Sequence, residues 1–146
     1  MTNSLQEIEK IGCEVLQKRD DVLNALLFGS WASGDAHPLS DVDIAIQCRR
    51  EPSILEHAEM AEELRELLGR RVDLVLMERA LVESPLLAYR IYRNHRLLFC
   101  RDREGYDAFR TAALHAYMDL LPLLHEQQEA FEGRLRDGTF ATIQTA

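Results

Sequence analysis

Lysine is nearly missing from this chain. Of its 17 basic residues only Lys10 and Lys18 are lysines, and 25 acidic residues leave a net charge of −8 with histidine neutral. That field repels phosphate backbones, so direct nucleic-acid binding is not expected. The arginines are scattered from Arg19 to Arg136 and form no basic block. No apolar run approaches the ~20 residues of a membrane span. The stretch Met1–Glu7 lacks the basic-then-apolar pattern of a secretory signal, so a cytoplasmic location is expected. Cysteine is sparse: Cys13, Cys48 and Cys100 are far apart, odd in number and without a Cys-x-x-Cys pair. They read as reduced thiols. His37, His57, His95, His115 and His125 show no zinc-type spacing.

What is present is a globular composition, 47% hydrophobic and 29% charged over 146 residues, which fits one domain spanning 1–146. A chain of this size buries roughly two-thirds of its unfolded surface and needs no staple. Helical periodicity runs over 4–18, and the short apolar segment Val22–Phe28 reads as a buried strand. Gly29–Ser40 is rich in Gly, Ser and Asp and reads as a loop. Asp41–Cys48 alternates as a second strand. Pro52-Ser53 opens a helix whose apolar side is Ile54, Leu55, Ala58, Ala61, Leu64, Leu67 and Leu68, and Gly69 stops it. Arg71–Leu76 is a third strand. A helix joins it to the second, so those two should run parallel, whereas the first pair should be antiparallel. A short helix near Ser84–Arg93, a strand near Leu97–Cys100 and a long helix from about Arg103 follow. Pro122 should kink or split that helix, and the tail after Gly133 should fray. The class is therefore α/β (α+β): a small mixed β-sheet flanked by helices, with a long C-terminal helix. The catalytic core falls at about 20–80 and the C-terminal helical part at about 103–133.

The chemistry concentrates in one place. A strand delivers Gly29-Ser30, a loop follows, and the next strand opens with Asp41-Val42-Asp43. Side chains repeat every second residue along a strand, so Asp41 and Asp43 share a face. Asp73, on the parallel neighbour, is placed beside that pair. A glycine turn that can receive anions next to clustered carboxylates suits phosphate plus a hard metal ion. Three converging carboxylates suit two Mg²⁺ ions. Elsewhere, Trp31 reads either as a base-stacking surface or as a hydrophobic plug. Arg90, Arg93 and Arg96 read as a solvated face or as phosphate contacts, and Tyr89 and Tyr92 as core or surface. Leu120 through Phe131 carries more apolar residues than one face needs, a partner surface.

Gly29-Ser30, ten intervening residues and Asp41-Val42-Asp43 resemble the signature of the DNA polymerase β-type nucleotidyltransferases over about residues 20–80. The small size and helical end resemble the minimal nucleotidyltransferases, and among them the antitoxins paired with HEPN-domain ribonuclease toxins. That resemblance implies an Mg²⁺-dependent enzyme that moves AMP from ATP onto a toxin tyrosine and silences the toxin, within a hetero-oligomer. It implies that Gly29, Ser30 and Ser40 bind nucleotide and that Asp41 and Asp43 bind both metals. Asp73 would complete the metal site and help deprotonate the attacking hydroxyl. Many relatives carry a basic residue where Ser33 stands, so a phosphate contact from that position is absent here or supplied elsewhere. The alternatives are a nucleotidyltransferase acting on small aminoglycoside-like alcohols and a non-catalytic module that occludes a toxin.

Overall fold

A computed structural model describes residues 4–137. Helix α1 (Leu5–Gln17) starts at Ser4, whose hydroxyl accepts the Glu7 N–H. Strand β1 (Val22–Phe28) follows, then a single helical turn, α2 (Ser30–Ser33), and β2 (Val42–Cys48). Helix α3 (Ile54–Leu68) leads to β3 (Val72–Leu76), α4 (Met77–Glu83) and α5 (Pro85–Arg93). Strand β4 (His95–Cys100) and the long α6 (Arg103–Asp137) complete the described chain.

The four strands form one sheet in the order β3-β2-β1-β4. β1 pairs antiparallel with both β2 and β4, and β2 pairs parallel with β3, as the connections required. Alternation along the strands sorts their side chains onto two buried faces. Ala25, Leu27, Val42, Ile44, Ile46, Val72 and Leu74 meet α1 and α3 on one face. Leu26, Phe28 and Ala45 meet α4, α5 and α6 on the other. Because Asp41 and Asp43 alternate with Val42 and Ile44, they lie on the face of Ala45, and Asp73 lies on that of Val75. One end of that face therefore collects all three carboxylates.

A buried polar network fixes the start of α6 to the sheet. Asn24, fully buried, donates to Gln47 Oε1 at 2.7 Å and to the Asp102 carbonyl at 2.8 Å. Gln47 donates onward to the Gly105 carbonyl at 3.2 Å, so these buried amides are satisfied rather than orphaned.

Several expectations are corrected. The expected loop Gly29–Ser40 contains α2, a turn bounded by glycines at both ends. Helix α4 was not foreseen, because Met77 follows β3 without a turn residue. In α3 the capping box of Ser53 and Glu56 forms, but the buried side chains are Met60, Ala61, Leu64 and Leu68. Ile54 is 92% exposed and Leu55 and Leu67 are exposed too, since a helix turning 100° per residue can present one stripe to the sheet. α6 runs unbroken through Pro122 and on past Gly133 to Asp137. Proline removes a hydrogen bond and crowds the carbonyl four residues back. Here Pro122 and Met118 are both exposed, so that carbonyl sits on a part of the helix open to water. The expected fraying beyond Asp137 falls outside the described residues. The buried side chains of α6 end at Ala113. Leu114–Asp137 continues for roughly 36 Å at 1.5 Å per residue and exposes Met118, Leu121, Leu123 and Leu135.

Tyr89 and Tyr117 stack with ring centroids 3.6 Å apart, which joins α5 to α6 and settles Tyr89 as packing. The three cysteines are free thiols, and burial pushes Cys48 up to about 11. Among the described residues no helix is long and apolar enough to cross a membrane.

Candidate active site

The site is built where β1 ends and β2 and β3 begin. Phe28 pairs with Asp43 across the antiparallel ladder, and Asp43 pairs with Asp73 across the parallel one. Neighbouring strands lie about 4.8 Å apart, so these carboxylates face each other at strand spacing. The Val42 N–H donates to the Arg71 carbonyl at 2.9 Å, locking the starts of β2 and β3 together. Asp41 lies one residue before β2 and is exposed, as is Asp73; Asp43 is half-buried.

Gly29 has φ +73°, a conformation that side-chain-bearing residues rarely adopt. A Cβ at Gly29 would overlap Asp43 Oδ2 and lie 3.0 Å from Asp43 Cγ. Glycine is thus required twice, by the backbone conformation and by the carboxylate pressed against it. The Gly29 carbonyl accepts the N–H groups of Ala32 and Ser33, each at 3.1 Å, and so turns the chain into α2.

Burial pushes the Asp43 carboxyl up to about 6, with Asp73 and then Asp41 adding repulsion and Arg90 opposing them. Three hard oxygen donors at one end of the sheet, one of them desolvated and repelled by the other two, form a donor set whose charge a divalent cation would offset. By residue type this donor set suits Mg²⁺. Among the described residues, however, no three His, Cys, Asp or Glu side chains are grouped closely enough to hold a metal ion by themselves.

Clefts open on both sides of the carboxylates. One, of about 390 Å³, is walled by Gly29, Ser30, Ser33, Arg90 and Arg93. The other, of about 490 Å³, is lined by Asp41, Arg65, Arg71 and Asp73. Two further grooves, of about 310 and 410 Å³ at the far ends of β2 and β3, contain none of the expected site residues. Of the three clustered arginines, Arg90 and Arg93 reach the Gly-Ser cleft, whereas Arg96 pairs with Glu9 at 3.2 Å. Periodicity alone could not separate them, because they straddle the end of α5 and the start of β4.

The loop between Ser30 and Asp41 is held by a clamp that sequence reasoning missed. Trp31 packs against the core and donates its indole N–H to the Ser40 carbonyl at 3.4 Å. The Arg70 guanidinium lies 5.0 Å from the Trp31 ring centroid and donates to the Pro38 and Ser40 carbonyls at 2.9 and 3.3 Å. Trp31 is therefore a plug. Ser40 closes the loop in turn: its hydroxyl accepts the His37 N–H at 2.9 Å, and its own N–H donates to the His37 carbonyl. The Ser33 hydroxyl is engaged with Asp35 Oδ2 at 2.9 Å and the Ser30 carbonyl at 3.2 Å.

The family model described as "Polymerase beta, Nucleotidyltransferase" matches residues 9–104. A protein adenylyltransferase MntA of Thermococcus cleftensis is 42% identical over 76 residues, covering 50% of this chain and 77% of that protein. Two solved structures share the fold. A toxin–antitoxin complex with AMP-PNP superposes with a TM-score of 0.70 at 23% identity, over 87% of this chain and 98% of that one. The MNT antitoxin bound to a tri-AMPylated HEPN toxin of Shewanella oneidensis gives 0.67 at 21% identity, over 90% and 98%.

Proposed function

Because this chain belongs to the polymerase beta nucleotidyltransferase family, we propose that it transfers AMP from ATP onto a tyrosine hydroxyl of a HEPN-domain ribonuclease partner and silences it. The observation that carries this reading is Gly29 pressed against Asp43, itself in register with Asp73. A backbone without a side chain lets a phosphate approach beside the carboxylates.

The acceptor oxygen attacks the α-phosphorus, the bond between the α- and β-phosphates breaks, and pyrophosphate leaves with its electron pair. Asp73, which borders the second cleft, takes the hydroxyl proton as the new P–O bond forms. Asp41, Asp43 and Asp73 would hold the cation. Mg²⁺, when bound, neutralises charge on the transferring phosphoryl group. Gly29 and Ser30 receive the triphosphate, while the Trp31–Arg70 clamp keeps that turn in register with Asp41. Ser40 acts through the same loop.

A relative that acts on a protein at 42% identity supports a protein acceptor. So does the exposed half of α6, where Met118 and Leu121, three residues apart, share an exposed apolar face. Mass spectrometry of the HEPN protein after incubation with this chain, Mg²⁺ and each nucleoside triphosphate tests the proposal. A gain of AMP units on a tyrosine, with ATP alone, is the expected result. An unmodified partner whose ribonuclease is nonetheless blocked would replace catalysis with occlusion.

A further inference from the structure

The chain carries a net charge of −8, and at least six of its 15 arginines are paired locally. Arg50, Arg65, Arg79, Arg96, Arg103 and Arg110 each pair with a carboxylate. Arg90 and Arg93 are not among them. Their guanidinium groups form no ion pair or hydrogen bond among the described residues, although both line the cleft of about 390 Å³ opposite Gly29 and Ser30. Two unpaired cations three residues apart share one face of a helix. Helix α5 is anchored through Ala88 and Ile91, so the arginines are free to serve the cleft rather than the core. The Ser33 hydroxyl on the opposite wall is already taken by Asp35 and the Ser30 carbonyl.

Resting on the adenylyl-transfer reading, we infer that Arg90 and Arg93 bind the β- and γ-phosphates of the nucleotide and so hold the pyrophosphate that leaves. Transfer places the α-phosphate at the carboxylates, so the phosphate tail extends from there into the Gly-Ser cleft. Arg90 is close enough to Asp43 to oppose its repulsion, which puts it at the carboxylate end of the cleft. When the bond between the α- and β-phosphates breaks, charge accumulates on the pyrophosphate, and the two guanidiniums meet it. Base and ribose gain nothing from these residues. Affinity for the nucleotide should therefore depend on them only through its terminal phosphates.

Calorimetry of the full chain with ATP, AMP and inorganic pyrophosphate, each with Mg²⁺, separates the possibilities. Arg90→Gln and Arg93→Gln should each weaken ATP and pyrophosphate about tenfold and leave AMP within about twofold. The corresponding lysine variants should retain most of the affinity. Equal losses for ATP and AMP would overturn the assignment. So would unchanged ATP affinity with a lowered melting temperature, which would mean that the arginines only complement the C-terminal dipole of α5. Wild-type protein that binds pyrophosphate through both arginines yet transfers nothing from ATP would keep this inference and sink the adenylyl-transfer reading.

Discussion

Asp43→Asn should make the metal-free protein more stable while disabling it. The carboxyl of Asp43 stands at about 6 against an ordinary 3.8, first because it is partly buried and then because Asp73 and Asp41 repel it. That gap corresponds to about 3 kcal/mol at 1.36 kcal/mol per pH unit. Asp43 keeps part of its surface in water, and screening reduces the figure to on the order of 1–2 kcal/mol. At about 2.1 cal/mol/K per residue over this chain, the gain raises Tm by about 3–6 °C. The sign follows from which state holds the proton. A carboxyl raised in the fold keeps its relative stability below about 3.8 and loses it as pH rises through about 6. The asparagine variant should therefore melt higher than wild type by the full margin at pH 7.5. The margin should shrink between pH 6 and 4 and vanish below. Thermal melts in EDTA at pH 7.5, 5 and 4 measure it. In Mg²⁺ and ATP the order should reverse, since wild type alone gains ligand stabilisation. Transfer should fall about a thousandfold, about 4 kcal/mol of barrier. A variant that melts at or below wild type at pH 7.5 in EDTA would refute the claim that burial and its acidic neighbours destabilise the Asp43 carboxylate.

Gly29→Val should lose at least about 2 kcal/mol of stability and nearly all transfer, because its Cβ meets Asp43 in a positive-φ turn; full activity would put the phosphate turn elsewhere. Arg70→Met should weaken the loop clamp on Pro38 and Ser40, raising KM for ATP several-fold with a smaller effect on kcat, and steady-state kinetics across ATP concentrations would expose an unchanged KM. Calorimetry should find ATP binding markedly weaker in EDTA than in Mg²⁺, and equal affinities would count against a metal at the carboxylates. The Asp41→Asn, Asp43→Asn double variant should still bind the proposed HEPN partner in pull-downs yet fail to protect cells; full protection without modified partner would mean that binding suffices.

Much of this protein was legible in its residues because the relevant signals are local. A short apolar run located β1 and period-two alternation located β2, and a helix between β2 and β3 required those two to run parallel. Gly29-Ser30 and Asp41-Val42-Asp43 lie in consecutive segments, so spacing alone put a turn beside two carboxylates. Other features depended on residues far apart in the chain. Which stripe of α3 is buried was decided by the sheet it meets, and Ile54 lost that competition. Helix α4 had no turn residue to announce it, and α6 kept its course through Pro122. Arg70 lies 39 residues from Trp31, and only the closed fold sets its guanidinium over the indole. Arg90 and Arg93 were indistinguishable from Arg96 until α5 turned the first two toward Gly29 and β4 carried the third to Glu9. The raised carboxyl of Asp43 has the same origin. Residue type supplies the charge, but desolvation and the distances to Asp73 and Asp41 exist only once β1, β2 and β3 have been brought together.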